Sequence, residues 1–209
     1  MKPEIDYTLY LCTDRKQMTT DTIEESVELA IKGGVSVVQL REKECSSREF
    51  YEIAMAVKVI TDAYEVPLLI NDRLDIAMAV GADGVHLGQE DVPVEAARNV
   101  LGPDKIIGAT AHTIGQAERA WKMGADYLGV GDVFGTASKS DTNRISLEDL
   151  REICQAVPIP AVAIGGVNEG NIHRLHGTGA AGAAVISAVI GKENITAAAE
   201  GLIRAYSGQ

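Results

Sequence analysis

The sequence predicts an α/β fold, specifically a single-domain (β/α)8 TIM barrel made of residues 1–209. Eight short apolar runs alternate with eight helical patterns along the whole chain. Several of the helical patterns end in glycine and lead directly into the next apolar run. Continuous apolar strands joined by crossover helices indicate a parallel sheet that is covered on its outside, and eight even repeats favour its closure. An open, doubly wound sheet is the alternative.

The strands are predicted from runs built of Val, Ile, Leu and Ala. In chain order they are Thr8–Cys12, Val35–Leu40, Pro67–Ile70, Gly84–Leu87, Lys105–Ala109, Tyr127–Val130, Ala161–Ile164 and Ala183–Ile186. Helical periodicity predicts the elements that follow them: Ile23–Lys32, Ser47–Tyr64, Asp72–Val80, Val94–Leu101, Ile114–Met123, Leu147–Ala156, Asn168–Leu175 and Asn194–Tyr206.

The composition argues against two functional classes. A formal net charge of −11 is unfavourable for a general nucleic-acid or membrane-surface role, so we expect neither partner. An anionic substrate would therefore need a local basic pocket. The three cysteines, Cys12, Cys45 and Cys154, show no paired spacing, which indicates reduced thiols and a cytoplasmic protein. No secretory leader pattern opens the sequence, and the small-apolar run 179–191 is too short to span a bilayer.

Two aspartates follow neighbouring predicted strands. Asp72 follows the third strand, and Asp91 lies just past the fourth. In a parallel barrel these positions share one rim, where two carboxylates suit Mg²⁺ that also holds a substrate phosphate. The alternative is that both aspartates are helix N-caps, because a helical pattern follows each.

A basic segment follows the second strand. Alternation places Gln39, Arg41 and Lys43 on one side of Gln39-Leu40-Arg41-Glu42-Lys43, and Leu40 on the other. An arginine fork and a lysine point charge at the barrel mouth suit a pyrophosphate. A solvated charged turn is the competing interpretation of this segment.

Polar groups also follow the fifth and sixth strands. Thr110 can donate a hydrogen bond to an anionic oxygen, and His112 is either an acid–base group or a cap or packed ring. The long polar stretch 131–142 is either a mobile flap that closes over a ligand or a simple connector. His86 lies within a strand, which favours a packed, hydrogen-bonded core residue.

The last two strands end in features that suit a phosphate. Gly165-Gly166 follows the seventh strand, and Ile186-Ser187 ends the eighth. Glycines let the backbone approach a ligand, and barrels commonly bind a phosphate between these two loops.

Taken together, these segments resemble the thiamine phosphate synthase (thiamine-phosphate pyrophosphorylase) family. The similarity extends from about Tyr10 to Ile190. The matching strings are Gln39-Leu40-Arg41-Glu42-Lys43, Ile70-Asn71-Asp72, Val85-His86-Leu87-Gly88-Gln89-Glu90-Asp91, Ala111-His112-Thr113 and Ile164-Gly165-Gly166-Val167.

The resemblance implies an Mg²⁺-dependent transferase that joins hydroxymethylpyrimidine pyrophosphate to thiazole phosphate. Pyrophosphate leaves first, and the thiazole nitrogen captures the resulting pyrimidine carbocation. The matching motifs imply that Asp72 and Asp91 bind Mg²⁺ and that Gln39 contacts the pyrimidine. They imply pyrophosphate binding by Arg41, Lys43, Asn71 and Lys139, with Thr110 nearby. They imply thiazole phosphate binding by Thr136, Ser138, Gly166, Ile186 and Ser187. Arg41, Lys43 and Lys139 are the expected catalytic residues.

The flap departs from the family's usual Pro-Thr-x-Thr-Lys pattern. It reads Gly135-Thr136-Ala137-Ser138-Lys139 here, so Ser138 keeps the hydroxyl while Gly135 loosens the loop. Two other functions stay open: a thiazole tautomerase-like paralogue, and a non-catalytic phosphate-binding regulator. The intact acidic and basic rim residues count against both. The partners we expect are the two small-molecule substrates, and a homodimer is one assembly the sequence allows.

Overall fold

The chain folds into a closed barrel of eight parallel strands, as the sequence predicts. The computed structural model describes residues 2, 4–135 and 144–208. The strands follow chain order around the barrel, and β1 pairs with β8 to close it. They are β1 Leu9–Cys12, β2 Val37–Leu40, β3 Leu68–Asn71, β4 Gly84–Leu87, β5 Ile106–Ala111, β6 Tyr127–Gly131, β7 Ala161–Ile164 and β8 Gly182–Val185.

Helices follow every strand except β7. They are α1 Ile23–Lys32, α2 Ser47–Ala63, α3 Leu74–Val80, α4 Val94–Leu101, α5 Ile114–Lys122, α6 Leu147–Ala156 and α7 Ile195–Ser207. Within the described part of the chain, none of them combines the length and apolar character that a membrane span needs.

The helix predicted at Asn168–Leu175 is wrong in extent. Only a 3₁₀ turn, Ile172–Leu175, forms there. The Asn168 side chain accepts from the Gly170 amide at 3.0 Å, and the Asn171 side chain accepts from the Asn168 amide at 2.9 Å. Asparagine side-chain bonds of this kind stabilise a local turn as an alternative to the first helical turn.

The core has two parts, which the strand alternation separates. Leu11, Leu40 and Ile70 point outward and pack against the helices. Tyr10, Val37, Leu69, Ile106, Tyr127, Val162 and Ala184 point inward and fill the barrel. Because side chains alternate along a strand, the next inward positions toward the carboxyl ends face the mouth of the barrel.

Candidate active site

Three of the predicted site residues lie on the inner face of the barrel near its mouth. Gln39 of β2 and Asn71 of β3 are both buried, with 7% and 8% of their surface exposed. Thr110 lies within β5, which ends two residues later than predicted, and is half-buried. Register pairs Asn71 with His86, so neighbouring strands bring these polar groups to one level.

Asp72 is held in an unusual backbone conformation directly after β3. Its φ is 61°, a left-handed value that aspartate tolerates better than most non-glycine residues. Its amide donates to the His86 carbonyl at 2.8 Å, which extends the strand pairing by one residue. The N-cap residue of α3 is Arg73, without a side-chain cap bond, so the N-cap interpretation of Asp72 is wrong.

Asp91 does not cap a helix either. The N-cap of α4 is Pro93, and no side chain caps it. Asp91 Oδ2 instead accepts from the Gly88 amide at 2.6 Å, which closes the turn after β4. Burial raises the pKa of Asp91, and the neighbouring Asp72 carboxylate raises it further. The two carboxylates therefore converge at one point of the rim.

Two cations follow the neighbouring strand β2 at the same rim. Arg41 Nη1 donates to Asp14 Oδ2 at 3.2 Å, and the Arg41 amide donates to Thr13 Oγ1 at 2.9 Å. Lys43 forms an ion pair with Asp72 across the gap between the β2 and β3 loops. Both side chains keep substantial exposure, 30% for Arg41 and 50% for Lys43. They are thus open to an incoming anion.

The loops after β6 and β7 pack closely on each other. The Val133 amide donates to the Ile164 carbonyl at 3.1 Å, and the Phe134 amide donates to the Gly165 carbonyl at 2.9 Å. Gly166 has a φ of 65°, and a Cβ there would lie 2.1 Å from the Gly135 carbonyl oxygen. Only glycine fits this contact. Thr136, Ser138 and Lys139, predicted site residues of the same loop, lie outside the described residues.

The segment after β8 is a short turn. The amides of Val189 and Ile190 donate to the Ile186 carbonyl at 3.0 and 3.1 Å. Ser187 is exposed at the start of this turn, and Ile186 is half-buried. Since β7 and β8 are neighbours, Ser187 and Gly166 belong to adjacent loops, as a shared phosphate site requires.

A line of hydrogen-bonded side chains crosses the barrel interior beneath the rim. We call Gln39, Tyr10, Tyr127, His86 and Thr110 the interior polar chain. Its successive contacts measure 2.6, 2.7, 2.8 and 3.0 Å. The expectation that His86 is a hydrogen-bonded core residue is confirmed, and burial lowers its pKa to about 4.

The sequence analysis did not identify Tyr10 and Tyr127, the two tyrosines of the interior polar chain, as residues next to the site. Glycines make room for the rings: a Cβ at Gly108 would lie 2.1 Å from Tyr127 Cζ, and one at Gly129 would lie 2.9 Å from His86 Cε1. A glycine that alternates with small residues inside a predicted strand is a usable signal of a large ring opposite.

His112 has a packed role beside the site. Its Nδ1 lies 2.8 Å from the Gly131 carbonyl oxygen, and its amide donates to Gln116 Oε1 at 2.7 Å. These bonds link the end of β5 to the end of β6 and to α5. The geometry therefore agrees with a structural histidine.

The acidic pair could hold a divalent cation with the help of a bound ligand. Among the described residues, no group of three or more His, Cys, Asp and Glu side chains is arranged to hold a metal ion. Two carboxylates close enough for Asp72 to raise the pKa of Asp91 are nevertheless a suitable donor set for Mg²⁺, which commonly takes one or two carboxylates plus substrate phosphates.

A closed barrel with carboxylates, cations and buried polar groups at the carboxyl ends of its strands defines a TIM-barrel enzyme. Its rim suits a phosphorylated substrate. Residues 9–189 match the family model described as thiamine monophosphate synthase. The chain belongs to this family, and it is a transferase of thiamine biosynthesis.

Individual relatives are similar in sequence to nearly the whole chain. The chain is 53% identical over 206 residues to the thiamine-phosphate synthase of Ruminiclostridium cellulolyticum, covering 99% of this chain and 98% of the relative. It is 53% identical to the enzyme of the same name from Clostridium tetani, covering 95% of each. The solved thiamine phosphate pyrophosphorylase of Pyrococcus furiosus superposes with a TM-score of 0.89 at 43% identity, covering 97% of this chain and 96% of that one.

Proposed function

We propose that the chain couples hydroxymethylpyrimidine pyrophosphate to thiazole phosphate, giving thiamine phosphate and pyrophosphate, and that the reaction depends on Mg²⁺. One observation supports this most directly: Asp72, Asp91, Arg41 and Lys43 converge at one rim. That set can bind a metal pyrophosphate, and the family and its relatives carry the matching activity in their names.

The basic residues stabilise the leaving group. The methylene C–O bond breaks, and its electron pair passes to the pyrophosphate oxygen. Arg41 offers a fork of N–H donors, and Lys43 offers a compact charge. Both must exchange their present partners, Asp14 and Asp72, for phosphate oxygens. Asn71 and Lys139 complete the pyrophosphate site in this proposal.

Asp72 and Asp91 would hold Mg²⁺, which neutralises charge on the departing pyrophosphate when it is bound. The left-handed backbone of Asp72 and the Gly88 bond to Asp91 fix where the two carboxylates stand. They need no movement of the strands to share a ligand. This preorganisation limits the reorganisation cost of the reaction.

The pyrimidine carbocation then needs protection from water and a correctly placed nucleophile. Gln39, buried at the base of the mouth, would contact the pyrimidine ring. Thr136, Ser138, Gly166, Ile186 and Ser187 would hold the thiazole phosphate, so that the thiazole nitrogen forms the new C–N bond. The loop after β6 would exclude water, which otherwise captures the cation.

The test is formation of thiamine phosphate by purified protein supplied with both substrates, with and without Mg²⁺. The proposal expects product only with Mg²⁺. Metal-independent isomerisation of the thiazole phosphate alone would indicate the tautomerase-like paralogue. Binding of thiazole phosphate with no turnover of any kind would indicate the phosphate-binding regulator.

A further inference from the structure

The interior polar chain has a definite hydrogen-bond direction, which follows from counting donors. Gln39 Nε2 can only donate, so Tyr10 Oη accepts from it at 2.6 Å. The Gln39 amide is oriented by Cys12, whose thiol donates to Oε1 at 3.3 Å. The Tyr10 hydroxyl therefore still has its own hydrogen to donate.

That hydrogen has one acceptor within the described residues. Tyr10 Oη and Tyr127 Oη are 2.7 Å apart, and Tyr10 is 1% exposed. If Tyr127 donated instead, the Tyr10 hydrogen would be buried without an acceptor, which is costly. Tyr10 thus donates to Tyr127, and the Tyr127 hydroxyl donates onward to His86 Nδ1 at 2.8 Å.

The state of His86 then follows. A ring that accepts at Nδ1 and is neutral carries its single proton on Nε2. His86 Nε2 lies 3.0 Å from Thr110 Oγ1 and donates to it. The Thr110 oxygen is used as an acceptor, and its own hydrogen makes no hydrogen bond within the described residues.

We propose that the interior polar chain runs in one direction, from Gln39 to Thr110, holds His86 as the Nε2–H tautomer, and leaves Thr110 as a hydrogen-bond donor to the phosphorylated pyrimidine substrate. The last part of this inference rests on the proposed function. Tyr127 and His86 are positioning residues in this scheme, because they act on the substrate through Thr110. In the reverse direction the Thr110 hydroxyl would donate its hydrogen to His86 Nε2. Thr110 could then not donate a hydrogen bond to the substrate.

The direction is tested by long-range ¹H–¹⁵N spectroscopy of the intact protein, which reports the tautomer without any turnover. The sequence has four histidines. Substituting His112, His173 and His176 by Asn, one at a time, assigns the other three rings and leaves His86 untouched. We expect a bare, hydrogen-bonded Nδ1 and a protonated Nε2 for His86. A protonated Nδ1 would overturn the inference, whether or not the protein makes thiamine phosphate.

A variant pair tests whether Tyr127 is the donor. In Tyr127→Phe, the His86 Nδ1 signal should move to the higher ¹⁵N shift of a bare nitrogen that has lost its hydrogen bond. Tyr7→Phe is the matched control. The centroid of the Tyr7 ring lies 5.0 Å from that of Tyr127, but Tyr7 is not a member of the interior polar chain. The signal should not move there. An unmoved signal in folded Tyr127→Phe contradicts the scheme, and if that variant does not fold the wild-type tautomer still decides it.

The donor role of Thr110 is tested by kinetics. Thr110→Val should raise KM for the pyrimidine pyrophosphate about 10-fold, since one hydrogen bond to a charged group is lost. Thr110→Ser keeps the hydroxyl and should stay near the parent value. Equal KM values for the Val and parent proteins would remove the donor role, while an absence of product from the parent would instead refute the proposed function.

Discussion

Lys43 and Asp72 form an ion pair that joins the proposed pyrophosphate site to the proposed metal site. Lys43 follows β2, and Asp72 follows β3. Their side chains are 50% and 24% exposed, so water screens the pair and its strength is modest. Each partner is thus bound in the free protein yet available to a stronger ligand.

Lys43→Met should change two affinities in opposite directions. Mg²⁺ alone should bind up to about fivefold more tightly, because Asp72 loses a competing cation. Inorganic pyrophosphate should bind roughly 10-fold or more weakly, because a charge-assisted contact is lost. Calorimetric titration of each ligand measures both effects. Lys122→Met is the control, since Lys122 pairs with Glu118 within α5 and its side chain is 67% exposed. A weakened Mg²⁺ affinity in Lys43→Met would contradict the expected competition.

Asp91→Asn should lose at least about 100-fold in Mg²⁺-dependent turnover while the fold is kept. The amide can still accept from the Gly88 amide, so the turn after β4 persists. Turnover measured across a range of Mg²⁺ concentrations, with circular dichroism for folding, checks this. Glu95→Gln removes the same charge from the exposed side of α4 and should behave as the parent. Near-parent rates for Asp91→Asn would count against the metal site.

Ser187→Ala should weaken thiazole phosphate binding by about 1 kcal/mol, the usual value of one hydrogen bond. Calorimetry with thiazole phosphate alone measures it. Ser207→Ala, at the end of α7, changes an exposed serine far along the chain from the phosphate loops and should have no effect. An unchanged affinity in Ser187→Ala would remove Ser187 from the site.

Gly166→Ala should disrupt the contact between the β6 and β7 loops. The new Cβ would stand 2.1 Å from the Gly135 carbonyl oxygen, so one backbone must move. We expect a loss of about 2 kcal/mol or more in unfolding free energy and weak thiazole phosphate binding. Gly81→Ala has a similar φ, 69°, but its nearest neighbour is a lysine carbon at 4.0 Å. It should lose only about 1 kcal/mol, the conformational penalty alone. Denaturant unfolding of both variants gives the comparison.

Glu42→Gln should raise stability at neutral pH. The Glu42 side chain is 5% exposed, and its Oε2 accepts a long bond of 3.4 Å from Arg15. Its Oε1 is buried and has no hydrogen-bond partner among the residues that the structure describes. Burial raises the pKa of Glu42, so the folded protein binds a proton more readily than the unfolded chain does. The destabilisation by ionised Glu42 is therefore present at neutral pH and disappears as pH falls through the folded-state pKa. Thermal unfolding from pH 7 to pH 4 should show the variant's advantage shrinking.

The barrel and the level of its rim follow from local patterns. Apolar runs of strand length and glycine helix ends recur along the chain, and the carboxyl end of each strand is then known. Once the carboxyl ends of the strands are known, Asp72 and Asp91 are predicted to lie at the same rim of the barrel. The helix predicted at Asn168–Leu175 is shorter in the structure because two asparagine side chains stabilise a local turn in place of the first helical turn, an effect that periodicity does not record.

The interior polar chain could not be predicted in the same way. Tyr10 and Tyr127 stand 117 positions apart, and each looks like an ordinary core aromatic within its own strand. Their contact depends on barrel closure and on which inner level each occupies. The ion pair between Arg41 and Asp14 depends likewise on two loops that meet only in the folded protein.

The close fit between Gly108 and Tyr127 couples the substitutions that these two positions can accept. A side chain at 108 has no room until the ring at 127 becomes smaller, and a smaller ring at 127 leaves an unfilled space opposite. Homologues that lack this pair should therefore combine a larger residue at position 108 with a smaller one at position 127. A protein that carries only one of the two changes should be less stable than a protein with both or with neither.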